Sequence, residues 1–272
     1  MFAKEYIALI AGLREYSLDG DNKGLELSAI LEEVFDEISA KDSELVRLLY
    51  GLYDCENIVA TYNKSERFNP MGFLSRESID TLLSGVESDD IRLSASQQAV
   101  VELYTAKGSE QGGEDFEMAL YAAYYADAES SKNRFLREWS RSERDLRNVI
   151  AALSARSSGR AVESVLVGGG DVVDQIMRSS AADFALRGQL SYLDALMAAV
   201  ADRSNLIEQE HKIDNIRWEV AEELAQMEYF TMDALLAYLV RVNMVVRWQR
   251  LNPKYGREMF DRLVGELRAN KK

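Results

Sequence analysis

The chain has 272 residues, and its 32 basic and 46 acidic side chains give it a formal net charge of −14. Nucleic-acid binding requires a surplus of lysine and arginine, so this composition argues against a nucleic-acid partner. Hydrophobic residues make up 47% of the chain, which is enough to build a core and excludes wholesale disorder. The single cysteine, Cys55, excludes an intrachain disulfide, and the single histidine, His211, excludes a metal site built from several histidines.

Helical periodicity dominates the sequence, which has only two prolines to interrupt it. Tyr6 to Leu13 is a short apolar run that fits either a short N-terminal strand or a helical turn. Apolar residues then recur at helical spacing from Leu27 to Ile38, with acidic residues between them. Further helical runs are Leu45 to Tyr62, Ser131 to Ala155, Leu206 to Phe230, Met232 to Leu251 and the amphipathic stretch Tyr255 to Arg268. We therefore predict an all-α fold.

Two short helices are predicted to follow loops that contain glycine. Ser75 is placed to cap a helix that stops at Gly85, and Asp171 is placed to cap a helix from Val172 to Ser179. Serine and aspartate suit this role because their side chains accept hydrogen bonds from the first free N–H groups of a helix.

An internal repeat is the most informative feature of the sequence. Asp54 to Ala60 and Asp145 to Ala151 both read D-x-x-N, then two β-branched residues, then alanine. Each copy lies late in a long helical run and precedes a loop and a short helix. A weaker third copy is Val245 to Trp248. We predict one large helical domain over residues 1–272, made of three pseudo-repeated lobes at roughly 1–107, 108–188 and 189–272.

The spacing of the D-x-x-N motif places both polar side chains on one face of a helix. Residues three apart on a helix are neighbours, so Asp54 and Asn57, and likewise Asp145 and Asn148, point the same way. A buried asparagine has to find hydrogen-bond partners, which suits it to fixing the register of packed elements. We therefore interpret these four residues as structural, and we expect no catalytic residue among them.

The repeat motifs resemble the C subunit of bacterial and archaeal V-type (A-type) ATPases, whose eukaryotic counterpart is the d subunit. The similar stretches are Tyr53 to Leu83, Glu143 to Met177, and Tyr238 to Leu251 followed by Phe260 to Leu267. The segment from Tyr6 to Leu13, followed by Ser17-Leu18-Asp19, is similar to a little-described bacterial family encoded alongside V-type ATPases.

This resemblance implies a non-catalytic adaptor in the central stalk of a rotary ATPase that transports protons or other ions. Its partners would be the rotor-shaft and membrane-ring subunits, without a cofactor or metal. The protein would be cytoplasmic and peripheral to the inner membrane, attached only through partner subunits. Arg247 and Arg250 match the charged pattern of the family's last repeat, which makes them candidate interface residues.

Other chemistries find little support in the sequence. Gly168-Gly169-Gly170 lacks the spacing of a phosphate-binding loop. His211 lies in a charged helical stretch, and Cys55 lies in a helical pattern typical of a core. Two alternatives stay open: a free-standing cytoplasmic helical scaffold or regulatory protein that binds partner helices, and an all-α enzyme with a carboxylate-bound Mg²⁺.

Overall fold

The computed structural model describes residues 6–86, 91–107, 113–202 and 205–251. Every regular element within these ranges is helical, with eleven α-helices, one 3₁₀ turn and no strand. The prediction of an all-α fold is therefore confirmed. The predicted helix from Tyr255 to Arg268 lies outside the described residues.

The helices follow one another through the chain, and four of them have 19 residues or more. Their bounds are α1 Ile7–Gly12, α2 Leu27–Glu37, α3 Ala40–Tyr62, α4 Arg76–Leu83, α5 Ala95–Lys107, α6 Gly113–Glu129, α7 Arg134–Ser157, α8 Asp171–Arg178, α9 Leu193–Ala201, α10 Leu206–Leu224 and α11 Met232–Leu251, with the 3₁₀ turn at Glu163–Val165. The long helices agree with the scarcity of proline.

The chain divides into two compact units. One contains Met1–Ser39 and Met227–Lys272, and the other contains Ala40–Gln226. The three lobes and their boundaries at residues 107 and 188 stay a prediction.

The first unit is assembled from α1, α2 and α11. The Tyr6 N–H donates to the Phe230 carbonyl oxygen at 2.7 Å, and the Tyr238 hydroxyl donates to the Arg14 carbonyl oxygen at 3.0 Å. These bonds link the residues around α1 to Phe230, just before α11, and to Tyr238, within α11. Of the two alternatives predicted for the N-terminal run, the helical turn is confirmed and the short strand is wrong, because Ile7–Gly12 is helical. A strand there has no neighbouring strand to pair with among the described residues, whereas a helix satisfies its own backbone.

The second unit contains two successive sets of four helices in the same order. In the first set, α3 is followed by the short α4, and α6 returns to pack along α3. In the second set, α7 is followed by the short α8, and α10 returns to pack along α7. The two short helices have eight residues each, and α3 and α7 have 23 and 24.

Each set has its own hydrophobic core. In the first set, apolar residues of α3, α4, α5 and α6 pack together, with Ile58, Ile79, Phe116 and Leu120 fully buried. The ring centroids of Tyr62 and Phe116 are 4.3 Å apart, which packs α3 closely on α6. In the second set, the core joins α7, α8, α9 and α10.

The ends of the short helices test the predicted caps. Ser75 accepts a hydrogen bond from the Ser78 N–H at 3.1 Å, so its predicted role is confirmed. The prediction for Asp171 is wrong, because Asp171 is already the first residue of α8 and Gly170 precedes it as the cap. Gly170 has a φ of +107°, a conformation that is strained for any residue with a side chain.

The predicted helix from Leu206 to Phe230 ends early. Helix α10 stops at Leu224, and Met227 follows with a φ of +73° before α11 begins. A positive φ in a residue other than glycine is uncommon and interrupts the helical conformation at this point.

Candidate functional site

The first copy of the motif closes a loop through Asn57. This side chain is 1% exposed, and its Nδ2 donates to the Asn69 carbonyl oxygen at 2.8 Å. Its Oδ1 accepts from the Asn69 N–H at 2.6 Å. The amide thus bonds both backbone groups of one residue, as a neighbouring strand would. We call this pair of hydrogen bonds the asparagine clamp.

Asp54 fixes the end of the same loop. Its carboxylate accepts from the Leu74 N–H at 2.8 Å, just before α4 begins. Burial raises the pKa of Asp54 to about 6, against the opposing effect of the Leu74 and Phe73 N–H groups. Gly72 lies against both motif residues, since a Cβ there would be 2.6 Å from the Asp54 Oδ1 and 2.8 Å from the Asn57 Nδ2. Only glycine fits this close approach without displacing them.

The second copy forms the same clamp through Asn148. Its Nδ2 donates to the Val167 carbonyl oxygen at 2.9 Å, and its Oδ1 accepts from the Val167 N–H at 2.8 Å. Asn148 is fully buried, and Val167 is 1% exposed. Both asparagines therefore hold the backbone of one loop residue that precedes a short helix. The partner lies 12 residues after the asparagine in the first copy and 19 residues after it in the second.

Asp145 differs from Asp54 in its partner. Its carboxylate contacts the Arg144 guanidinium at 3.2 Å, and Arg144 also forms an ion pair with Glu129 of α6 at 2.8 Å. Burial raises the pKa of Asp145, and the charge of Arg144 opposes that shift. A Cβ on Gly168 would be 3.3 Å from the Arg144 Cδ, so the glycine loop packs on this arginine. Gly168 and Gly170 therefore pack against the arginine of this buried ion pair.

Helix α7 carries a second buried ion pair that sequence reasoning missed. Arg217 of α10 bonds Glu143 of α7 through both its Nε and its Nη2 at 2.9 Å, and it bonds Asp214 at 2.9 Å. Burial alone lowers the pKa of Arg217, but the charges of Glu143 and Asp214 outweigh that effect and raise it. No sequence signal pairs Glu143 with Arg217, because they lie 74 residues apart among many other charged residues.

Helix α7 is also tied to α6 by Arg147. Its guanidinium contacts Glu117 at 3.1 Å and lies over the Tyr121 ring, 4.2 Å from the centroid. A cation over an aromatic face in a partly desolvated site adds an electrostatic attraction to the packing. Charged contacts thus join α7 to α6 on one side and to α10 on the other.

The proposed third copy in α11 has neither the aspartate nor the asparagine of the D-x-x-N motif. Val245 and Trp248 stand where the motif has its aspartate and asparagine, and Val245 is 1% exposed. Arg247 is half-buried and Arg250 is exposed, both at the end of α11. The stretch from Phe260 to Leu267 lies outside the described residues. The assignment of the two arginines as interface residues stays a prediction.

The family of the chain follows from its sequence over nearly its whole length. Residues 3–271 match the family described as Protein of unknown function (DUF2764). The chain belongs to this family. No curated protein and no solved structure matches the DUF2764 chain.

The nucleophile and base candidates of this DUF2764 protein are engaged in structural contacts. Burial raises the pKa of the Cys55 thiol far above its usual range, and the Gln97 Nε2 donates to its sulfur at 3.2 Å. The His211 Nδ1 lies 3.0 Å from the Asn215 Nδ2, one helical turn away on α10. Within the described ranges, no group of three or more His, Cys, Asp or Glu residues is placed to hold a metal ion.

A helix that crosses a lipid bilayer needs about 20 predominantly apolar residues in succession. In the described part of the chain, no helix combines that length with the necessary apolar composition.

Proposed function

We propose that this DUF2764 protein is a non-catalytic central-stalk adaptor of a V-type (A-type) rotary ATPase, coupling the rotor shaft to the membrane ring. One observation carries the proposal: the D-x-x-N motifs that resemble the V-type ATPase adaptor family form the same asparagine clamp twice, on two long helices of similar length. A motif that recurs by chance has no reason to make the same two hydrogen bonds in both places.

The charged contacts of α7 support a mechanical role. An adaptor in a rotary machine transmits torque without bond chemistry, so it requires helices that resist sliding past one another. Buried ion pairs with good geometry fix the register of packed helices, because a shifted register leaves a charge unpaired. Glu143–Arg217 fixes α7 against α10, and Glu129–Arg144 fixes α7 against α6.

The net charge supports assembly with basic partner surfaces. A protein of charge −14 attracts lysine- and arginine-rich surfaces, which speeds docking more than it tightens the complex. In this proposal the protein is cytoplasmic and reaches the inner membrane only through the ring subunits that it binds.

The experiment is a binding measurement with defined partners. Purified full-length protein is mixed with the shaft subunits, and separately with the membrane ring in detergent, of the V-type ATPase from the same organism. Co-elution and biolayer interferometry are expected to detect binding to both. The proposal would be overturned if the protein failed to bind one or both of these partners at micromolar concentrations.

Variants of the candidate interface refine this measurement. R247E/R250E is expected to weaken binding to one partner at least tenfold, because two charges of the contact are reversed. The matched control is R178E, which reverses an arginine at the exposed end of α8 that is 78% accessible. Equal affinities for the two variants would remove Arg247 and Arg250 from the interface and leave the adaptor proposal standing on the wild-type binding.

A free-standing cytoplasmic scaffold that binds partner helices is the second candidate. It is favoured by two observations: α11 lacks the motif, and α10 begins with Leu206 and Ile207, each 68% exposed. Neighbouring exposed apolar side chains at a helix end suit a hydrophobic docking contact. Binding to other helical proteins, in preparations that bind no ATPase component, would favour this candidate.

A further inference from the structure

The segment between α8 and α9 has an unusual backbone conformation. Phe184 and Ala185 have φ angles of +52° and +56°, both in the left-handed region. This region is unfavourable for most residues that carry a side chain, and a bulky residue such as phenylalanine is rare there. Two such residues in succession therefore store strain in the segment. We call residues 179–190 the strap.

Two side chains anchor the strap in a hydrophobic core. Phe184 and Leu186 are fully buried and belong to the core that joins α7, α8, α9 and α10. Ala185 lies between them and is exposed. Removing two large apolar side chains from water stabilises the closed strap and offsets the strain of its backbone.

Arg156, near the end of α7, fastens the strap from outside. Its guanidinium donates to the Ala181 carbonyl oxygen at 2.6 Å and to the Ser179 carbonyl oxygen. The same group lies over the Phe184 ring, 3.8 Å from the centroid. The Gln175 Nε2 of α8 donates to the Phe184 carbonyl oxygen at 3.1 Å. Side chains of two neighbouring helices thus hold the strained backbone in place.

The backbone hydrogen bonds of the strap are local. The Phe184 N–H donates to the Ala181 carbonyl oxygen at 3.1 Å, and the Leu186 N–H donates to the Asp183 carbonyl oxygen at 3.0 Å. The Leu190 N–H donates to the Leu186 carbonyl oxygen at 3.0 Å. Because both partners of each bond lie within the strap, none of these bonds ties it to the surrounding helices.

We propose that the strap is a strained latch that opens locally, without global unfolding, and that Arg156 controls how often it opens. The open state relaxes the two left-handed residues and withdraws Phe184 and Leu186 from the core. An apolar cleft among α7, α8, α9 and α10 is then uncovered. This inference goes beyond the adaptor function and does not depend on it.

Amide hydrogen exchange in the full-length protein, followed residue by residue by NMR spectroscopy, tests the local opening. The N–H groups of Phe184, Leu186 and Leu190 report it, because isolated turns of this size do not persist in water. Exchange through a local opening is insensitive to low urea concentrations, whereas exchange through global unfolding accelerates with urea. We expect the first behaviour in the strap and the second in the middle of α7. The same urea dependence in both regions would overturn the proposal.

A matched pair of glycine substitutions tests the stored strain. A185G relieves the left-handed strain at an exposed residue and is expected to slow exchange in the strap about fivefold, after correction for intrinsic rates. The control, A182G, makes the same change at an exposed residue without a positive φ, and its exchange is expected at or above the wild-type rate. Exchange in A185G that is no slower than in the wild type, or equally slow exchange in A182G, would overturn the proposal.

R156M tests the fastening. Methionine keeps an apolar stem but removes the guanidinium, so exchange in the strap is expected to accelerate about tenfold or more. R160M is the control, because Arg160 is exposed and its Nε bonds the Ser158 hydroxyl, outside the strap. The proposal fails if R156M exchanges at the wild-type rate or if R160M shows the same acceleration.

Discussion

Asn57 and Asn148 lie 91 positions apart and hold their loops with the same two hydrogen bonds, one donated and one accepted by the side-chain amide. In each case the amide bonds the N–H and the C=O of a single residue. The backbone of that residue is thereby satisfied without a strand or a helix. The clamp thus lets an irregular loop pack against a long helix.

Removing the clamp amide is expected to destabilise the fold. N57A and N148A each leave a loop N–H and C=O without their partners, which costs about 2–4 kcal/mol in the free energy of unfolding. Urea denaturation of each variant measures this loss. Q98A is the control, because the Gln98 Nε2 bonds the exposed Glu102 at 3.0 Å and no other side chain of the described residues. If N57A loses no more free energy of unfolding than Q98A does, water replaces the hydrogen bonds of the Asn57 amide.

Gly72 is expected to be intolerant of a side chain. In G72A the new methyl group meets the Asp54 carboxylate and the Asn57 amide, so at least one of them has to move, at about 1–3 kcal/mol. G169A is the control in the second loop, since a Cβ there meets no atom within 4 Å and Gly169 has no positive φ. Thermal unfolding of both variants makes the comparison. A stable G72A with unshifted unfolding temperature would contradict the close approach.

The ion pair between α7 and α10 is expected to respond unequally to single and double substitutions. R217M leaves Glu143 and Asp214 buried beside an uncharged chain, which costs about 3–5 kcal/mol. E143M/R217M removes both members of the main pair and is expected to be less destabilised than R217M alone. Chemical denaturation of the two variants distinguishes these outcomes, and additive losses would argue against direct coupling.

An exposed ion pair supplies the reference for that experiment. Arg178 and Asp174 of α8 are 3.7 Å apart, with 78% and 56% of their side chains accessible. R178A is expected to change stability by less than about 0.5 kcal/mol, because water screens this pair.

The stability of the protein is expected to fall as the pH rises from about 4 to 7, in part through Asp54. Its folded-state pKa of about 6 lies above the ordinary value of 3.8, so the folded state holds this proton more tightly than the unfolded chain does. Between these two values the folded state is the more protonated, and deprotonation therefore costs stability, up to about 3 kcal/mol.

D54N isolates this contribution. Asparagine does not titrate, so the decline in the free energy of unfolding between pH 4 and pH 7 is expected to be shallower in D54N than in the wild type. The raised pKa of Glu129 and of Asp145 acts in the same direction and leaves some of the decline in place. Identical slopes in urea titrations would show that Asp54 does not carry the effect.

The helices and the motif asparagines of the repeat could be predicted from the sequence, because both leave a local sequence pattern. Apolar spacing marked the long helices, and D-x-x-N marked Asn57 and Asn148 as residues with a shared role. The partners in the clamps left no such pattern. Asn69 and Val167 are bonded through their backbones, so their side chains carry no information about the contact.

Ion pairs between residues far apart in the sequence could not be predicted either. Many acidic residues are available to Arg217, and only the packing of α7 on α10 selects Glu143. The error at Asp171 has a local cause, because the φ of +107° at Gly170 lets the helix begin one residue earlier than a side-chain cap would.

The burial of Cys55 has a practical consequence for studies in solution. It is the only cysteine of the chain, it has no exposed surface, and its thiol is bonded by Gln97. A thiol-reactive dye added to the folded native protein therefore finds no target. A cysteine introduced at an exposed position of α2, such as Glu33, becomes a unique attachment point for a fluorophore or spin label, with the wild-type core left intact.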